Sequence, residues 1–130
     1  SEQNVEIKLS QLKNWKSKIT KIYKDHSSDS ITRKLLESKK KYGLKKEDFF
    51  SIIEGMRMDI IEEIRYPSKK KIDLYCSRVA GAVGCLSMNI FGIKSKLGRT
   101  YANLLGKAFQ FTNIFYIHLP FYNFLFNNIE

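Results

Sequence analysis

The sequence predicts an all-α fold, a bundle of roughly five helices joined by short connections. Three observations lead to this prediction. Apolar residues recur at three- and four-residue steps along most of the chain, which is the spacing of an amphipathic helix. No segment alternates apolar and polar residues as a half-buried strand does. Capping residues, glycines and a proline separate the periodic segments from one another.

The first two predicted helices occupy the first third of the chain. Asp29 and Ser30 can cap the second of them, which we expect over residues 31–42. Gly43 then ends it, because glycine readily adopts the left-handed backbone that follows many helices. The first helix is predicted from apolar residues at helical spacing, namely Leu9, Leu12, Trp15, Ile19 and Ile22.

The third predicted helix covers residues 46–64 and has a broad apolar face. Tyr66 and Pro67 end it, because the residue before a proline avoids helical backbone angles. Its apolar face consists of Phe49, Phe50, Ile52, Ile53, Met56 and Ile60.

Two more helices are predicted after Pro67. Ser68 can cap a fourth helix that runs to residue 90 or 91. Gly92 and Gly98 bracket a short loop, and a fifth helix follows over residues 99–116.

The end of the chain is unusually apolar. Ten of the thirteen residues from 114 to 126 are apolar, and we expect Pro120 to interrupt any continuous helix there. The segment is too short to span a bilayer. Three interpretations stay open: it buries against a partner, lies on a membrane, or is a non-native tail that promotes aggregation.

The composition describes a basic globular domain. Lys and Arg total 23 against 13 Asp and Glu, a net charge of +10, and 43% of residues are hydrophobic. The hydrophobic content argues against disorder. Lysine runs at residues 39–41, 45–46 and 69–71 attract nucleic acid, anionic lipid or phosphorylated substrates, or simply form a solvated surface. No nucleic-acid-binding module is recognisable, so nucleic acid is not an expected partner.

The two cysteines exclude a disulfide-rich secreted scaffold. Cys76 and Cys85 lie on one predicted helix at a separation of roughly 13.5 Å, too far apart to form a disulfide with each other. We expect both thiols to be reduced and buried, as in a cytoplasmic protein. His26 and His118 have no neighbours with metal-ligand spacing, so zinc is not expected.

The most distinctive run is residues 75–84, Tyr-Cys-Ser-Arg-Val-Ala-Gly-Ala-Val-Gly. Two glycines inside a helix cost roughly 1 kcal/mol each relative to alanine, so a compensating role is expected. Ser77, Gly81 and Gly84 share one helix face. Such a face admits either another helix or a long ligand close to the backbone.

Two further polar groups are candidates. Asp59, Glu62 and Glu63 lie close together on one helix and could hold Mg²⁺, but their spacing favours ion pairing with Arg57, Arg65 and the lysine runs. In a separate helix, Gln110 and Asn113 are three residues apart within an aromatic segment. Their amides indicate a polar site or a paired hydrogen bond.

Three ordered segments resemble the signatures of squalene and phytoene synthases. Residues 75–84 are similar to the family run YCYRVAGTVG, and residues 54–59, Glu-Gly-Met-Arg-Met-Asp, resemble its (D/E)GMxMD segment. Residues 105–114, Leu-Gly-Lys-Ala-Phe-Gln-Phe-Thr-Asn-Ile, resemble LGxAxQLTNI. Residues 12–15, Leu-Lys-Asn-Trp, fit the family's L..WR helix. The resemblance covers about residues 9–114.

This resemblance implies part of the isoprenoid synthase fold, a helical bundle around a large apolar cavity. Members of the family join two prenyl diphosphates head to head, in isoprenoid and carotenoid biosynthesis, through a cyclopropyl diphosphate intermediate. Their two aspartate-rich motifs hold Mg²⁺, which neutralises the departing pyrophosphate. The carbocation then needs a dry pocket lined by aromatic side chains.

The resemblance also assigns roles to single residues of this chain. Tyr75 lines the cavity near the reacting centre, and Asp59 is a polar group at the cavity or supports its metal-binding wall. The other implied substrate-binding residues are Val79, Val83 and Gly84, which shape the channel, and Gln110 and Asn113, which lie by the second metal-binding wall.

The chain departs from the family in its acidic motifs. The first motif lies upstream of the L..WR helix and is missing here. At the positions of two aspartates of the second motif stand Ile117 and Phe121. We therefore expect a truncated synthase-like domain over residues 1–114 and a divergent aromatic tail over residues 115–130. Such a fragment is not expected to catalyse prenyl transfer alone.

Two interpretations of these departures stay open. A complementing polypeptide could supply the missing motifs, with prenyl diphosphate as the ligand and a membrane surface as a further partner. Alternatively, the chain is a non-catalytic relative that acts as an assembly factor for a respiratory complex.

Overall fold

The computed structural model describes residues 2–61 and 68–127, with side chains as far as residue 114. Helices account for nearly all of this part, which contains no strand, so the all-α prediction is confirmed. The helices are α1 (Glu2–Ile22), α2 (Ser30–Tyr42), α3 (Lys46–Ile61), α4 (Lys69–Cys76), α5 (Ala82–Ile90) and α6 (Lys96–Asn127). A π-helical segment, Ser77–Gly81, joins α4 directly to α5.

The caps predicted from the sequence are present. The Asp29 carboxylate accepts a hydrogen bond from the backbone N–H of Thr32 at 2.8 Å, and the Thr32 hydroxyl accepts in turn from the Asp29 N–H. Gly43 adopts a left-handed backbone with φ of 63° and donates to the carbonyl of Lys39. Ser68 caps α4 by accepting from the N–H of Lys71. Local side-chain chemistry therefore sets these helix ends.

Other helix boundaries differ from the prediction. The first helix begins at Glu2, before the apolar periodicity starts, and the last begins at Lys96 and runs to Asn127. The expectation that Pro120 interrupts this helix is wrong. The fixed φ of proline lies within the helical range, so proline removes one backbone hydrogen bond without forcing the chain out of the helix.

One hydrophobic core lies where α1, α2 and α3 meet. Its most buried members are Leu12, Ile19 and Ile22 from α1 and Ile53 from α3. Around them pack partly buried side chains, namely Tyr23, Leu35, Leu36, Phe49, Phe50 and Ile60. This core holds α3 in place, and α3 in turn packs against the π-helical segment and α5.

Within residues 2–61 and 68–127, no helix is both long and apolar enough to cross a membrane.

Candidate functional site

A large apolar groove lies between α5 and α6, which we call the α5–α6 groove. Its volume is about 1180 Å³. Its walls come from the π-helical segment, α5, the loop that follows α5, and α6. The lining residues are Val79, Ala80, Val83, Gly84, Ser87, Met88, Phe91, Ile93, Gly98, Tyr101, Ala102, Leu104, Leu105, Gly106, Phe109, Gln110 and Asn113.

Five residues singled out from the sequence meet in this groove. They come from two segments of the chain: Val79, Val83 and Gly84 from the first, and Gln110 and Asn113 from the second. The rim is open to solvent, since Val83 is 46% exposed and Phe109 is 64% exposed.

Glycines allow the two walls of the groove to approach closely. A Cβ at Gly84 would lie 2.3 Å from the carbonyl oxygen of Ala102, and one at Gly106 would lie 2.3 Å from that of Ala80. A Cβ at Gly81 would lie 2.3 Å from the side-chain Nδ2 of Asn103. Real Cβ atoms do not come so close to backbone atoms. Helix packing therefore requires the small-residue face, and the same packing forms the floor of the groove.

The π-helical segment is a feature that the sequence did not predict. Within Ser77–Gly81 the backbone is wider than an α-helix, and the N–H of Ala82 donates to the carbonyl of Ser77, five residues back. The segment carries Val79 and Ala80, both in the groove wall. Single π-helical turns occur often at functional sites. The only signal in the sequence was the costly pair of glycines.

Gln110 and Asn113 supply the polar groups at one part of the otherwise apolar wall. Neither amide makes a hydrogen bond to another residue in the described part of the chain. The two amides therefore do not form a hydrogen bond with each other, which was one of the two interpretations of this pair. Both amides can bind a polar group of a ligand, with an oxygen that accepts and a nitrogen that donates.

Tyr75 and Asp59 do not line the groove but bind each other. The Tyr75 hydroxyl donates to Oδ2 of Asp59 at 2.9 Å. Burial, together with this hydrogen bond, raises the pKa of Tyr75 to about 12. Asp59 lies at the edge of a different surface cavity of about 550 Å³, beside Trp15 and Met56.

The acidic candidates do not form a metal site in the described part of the chain. Glu54 pairs with Arg57 at 2.9 Å and with Lys16 at 3.3 Å, while Glu62 and Glu63 lie outside the described residues, as does Arg65. No three His, Cys, Asp or Glu side chains within that part could share a metal ion.

The polar atoms of the groove do not suit Mg²⁺ bound to diphosphate. The polar side chains that line it are the amides of Gln110 and Asn113 and the hydroxyls of Ser87 and Tyr101, all uncharged, whereas Mg²⁺ in such sites prefers carboxylates.

Both cysteines are buried and free, as expected. Burial raises the pKa of each thiol, which favours the unreactive neutral form. Neither thiol lines the groove.

Comparison with known proteins shows to which family the chain that forms this groove belongs. The family model of squalene/phytoene synthases matches residues 1–115. The chain belongs to the squalene/phytoene synthase family. The groove residues named above all lie within the matched range.

Three relatives illustrate this membership. A presqualene diphosphate synthase of Sinorhizobium fredii is 39% identical over 114 residues, which cover 88% of this chain and 40% of the relative. One from Rhodopseudomonas palustris is 41% identical over 84% of this chain and 39% of its own length. Phytoene synthase 1 of Arabidopsis thaliana is 32% identical over 79% of this chain and 26% of its own. The chain thus spans about two fifths of the bacterial relatives. No solved structure matches it significantly.

Proposed function

We propose that this chain binds the hydrocarbon part of a prenyl diphosphate in the α5–α6 groove. The observation that carries the proposal is the groove itself, built from the two family signatures at residues 75–84 and 105–114. Its volume of about 1180 Å³ lies above the range of about 300–1,000 Å³ that is usual for small-ligand sites. That space accommodates a long prenyl chain.

The proposed reaction context is the head-to-head joining of two prenyl diphosphates, which the relatives' names indicate. In that context the apolar walls contact the hydrocarbon chain of the substrate. Tyr101 and Phe109 offer aromatic faces that stabilise positive charge on a prenyl carbocation. Gln110 and Asn113 add uncharged hydrogen-bonding groups to the otherwise apolar wall.

We further propose that this polypeptide does not complete the reaction alone. Ile117 and Phe121, at positions where relatives carry metal-binding aspartates by resemblance, offer no oxygen for Mg²⁺. A complementing polypeptide with acidic motifs would supply that function. Incubation with Mg²⁺ and farnesyl or geranylgeranyl diphosphate should give no condensation product above the protein-free background. Product formation by the purified chain would refute this part of the proposal.

The proposed location is the cytoplasm, in contact with a membrane surface. The exposed rim of the groove supports such a contact, because Phe91 is 80% exposed and Leu97 is 63% exposed. The two reduced thiols fit a reducing compartment.

Ligand binding tests the proposal. Radiolabelled farnesyl diphosphate should bind the purified chain, and Val83→Asp should weaken binding about tenfold or more, because a charged group then faces the hydrocarbon. Ile31→Asp on α2 is a matched control: it changes another exposed aliphatic residue, 63% exposed and distant from the groove, and should leave affinity unchanged.

The opposite result would favour the non-catalytic alternative. If neither farnesyl nor geranylgeranyl diphosphate binds, while the chain co-purifies with a subunit of a respiratory complex, the chain acts as an assembly factor and the prenyl-binding proposal is wrong.

A further inference from the structure

A second cavity with a very different lining lies beside the α5–α6 groove. Its volume is about 400 Å³, and four cationic residues line it: Lys45, Lys94, Lys96 and Arg99. We propose that this basic cavity binds a phosphate-class anion, the head of an amphiphilic ligand, without a divalent metal. The proposal goes beyond the groove, which holds only hydrocarbon and uncharged polar groups.

The charges of the basic cavity are largely unneutralised. Lys45, Lys94 and Lys96 make no ion pair with any carboxylate in the described part of the chain. Arg99 pairs with Asp48. Four cations line this small volume, and two nearby carboxylates, Asp48 and Glu47, act on Arg99, so the net charge around the cavity is positive. Such clustering attracts multivalent anions strongly.

Arg99 contributes positive charge to the wall of the cavity while Asp48 anchors it. Its Nη2 donates to Oδ1 of Asp48, and both Arg99 Nη1 and Asp48 Oδ2 are buried without a hydrogen-bond partner. Since Nη1 is not accessible from the cavity, an anion there interacts with the charge of Arg99 and forms its charge-assisted hydrogen bonds with the lysine ammonium groups.

Three hydrogen bonds fix the segments that carry the cations. Asn89 Nδ2 at the end of α5 donates to the Gly43 carbonyl at 2.9 Å, which ties α5 to the turn before Lys45. The N–H of Ile93 donates to the Met88 carbonyl at 3.0 Å and shapes the loop that carries Lys94. Ser95 Oγ accepts from the N–H of Gly98 at 2.9 Å where α6 begins. The backbone segments that carry the cations are therefore held in place, while the lysine side chains themselves are exposed.

The basic cavity and the α5–α6 groove are contiguous. Met88 lines both. Ile93 and Gly98, which line the groove, flank Lys94 and Lys96, which line the basic cavity, along the chain. One molecule can thus place a phosphate head among the lysines and a hydrocarbon tail along the groove. The placement of the tail rests on the proposed function; the anion site itself does not.

Calorimetric titration with inorganic diphosphate in excess EDTA tests the anion site directly. We expect binding that weakens as salt is added. Lys94→Gln with Lys96→Gln should reduce affinity about tenfold or more, since two charge-assisted bonds are lost. Lys45→Gln should weaken it independently. A control that removes the same charge elsewhere, Lys13→Gln with Lys34→Gln on the exposed surfaces of α1 and α2, should change affinity less than about twofold.

Two results would overturn the proposal. One is the absence of diphosphate binding in EDTA. The other is an equal loss of affinity in the Lys94/Lys96 pair and the Lys13/Lys34 pair, which would assign the effect to net charge alone. All four replaced lysines are exposed, and thermal melts of the variants should match that of the parent chain.

Three further ligands, farnesyl diphosphate, farnesol and phosphatidylglycerol vesicles, test two separate questions. They show whether the bound phosphate belongs to a free ligand or to a membrane lipid, and whether the hydrocarbon tail binds in the groove. Farnesyl diphosphate should bind more tightly than inorganic diphosphate and lose affinity in the Lys94/Lys96 variant; farnesol should lose affinity only in Val83→Asp. If farnesyl diphosphate binds no tighter than inorganic diphosphate, the groove proposal fails and the anion site stands. Lysine-dependent binding to phosphatidylglycerol vesicles, with no binding of free diphosphate, would instead assign these lysines to a membrane surface.

Discussion

Arg99 on α6 donates a hydrogen bond to the carboxylate of Asp48 on α3, 51 positions away in the sequence. The Asp48 side chain is only 6% exposed, so this ion pair is largely withdrawn from solvent. It connects the start of α6 to the first turn of α3, which the α1–α3 core holds in place. The pair therefore couples the groove wall to the rest of the bundle.

Removing one partner of this ion pair should destabilise the fold. Asp48→Asn leaves the Arg99 guanidinium without its counter-charge and should lower the free energy of unfolding by about 2–3 kcal/mol. Asp73→Asn is the matched control: it breaks the more exposed pair with Lys107 and should cost less than about 1 kcal/mol. Urea unfolding followed by circular dichroism measures both. Equal losses would show that the buried pair has no special structural role.

A methyl group added at Gly84 should also destabilise the chain, although alanine is the better helix former. Its Cβ would overlap the backbone carbonyl of Ala102, which cannot move without separating α5 from α6. We expect Gly84→Ala to lower the free energy of unfolding by about 2 kcal/mol. Ser17→Ala, on the exposed face of α1, should leave it nearly unchanged. A stabilised Gly84→Ala variant would contradict the close helix packing described above.

Tyr75 and Tyr23 should make stability fall at alkaline pH. Each has its pKa raised from 10.0 to about 12, chiefly by burial. Below about pH 10 both folded and unfolded chains keep these phenols protonated; between pH 10 and 12 the unfolded state loses the protons first and is favoured. Unfolding measured across this range should show a shallower decline in Tyr75→Phe and in Tyr23→Phe. Identical declines in parent and variants would exclude this linkage.

Asp29 should make α2 sensitive to acid. The Thr32 N–H and the Lys18 ammonium hold the pKa of this carboxyl well below its ordinary value of 3.8. The charged cap therefore stabilises the fold above that ordinary value, and the contribution is lost as the pH falls below it. Asp29→Asn keeps a cap but cannot titrate, so its thermal stability should vary less between pH 5 and pH 2. If Asp29→Asn lost as much thermal stability between pH 5 and pH 2 as the parent chain, the proposed role of the Asp29 carboxylate in acid sensitivity would be wrong.

The sequence was sufficient wherever a local rule determines the structure. Asp29, Gly43 and Ser68 each satisfy orphan backbone groups through short-range contacts, so their positions predicted helix ends correctly. The glycines at 81 and 84 signalled a close approach because their helix cost needed a cause. Groove residues such as Val83 and Gln110 followed from the resemblance, because family signatures mark positions that face a shared cavity.

Features that depend on long-range contacts were not predictable in this way. The Asp48–Arg99 pair joins residues whose proximity only the packed bundle determines. The π-helical turn at Ser77–Gly81 contacts both α3 and α6, which are distant from it in the sequence. The basic cavity draws lysines from separate segments, so the sequence showed only lysine runs and scattered charges. The prediction from Pro120 was wrong because the tendency of this one residue to end a helix is weaker than the helical preference of the long segment around it.

The most direct test of the central claim is to locate a bound prenyl chain by photo-crosslinking. A farnesyl diphosphate analogue with a diazirine at the end of its tail is irradiated with the purified chain, and labelled peptides are identified by mass spectrometry. The label should fall on residues 79–88 and 101–113 and should be displaced by unlabelled farnesyl diphosphate. Labelling confined to α1 and α2, or labelling that excess farnesyl diphosphate does not reduce, would contradict a prenyl-binding groove between α5 and α6.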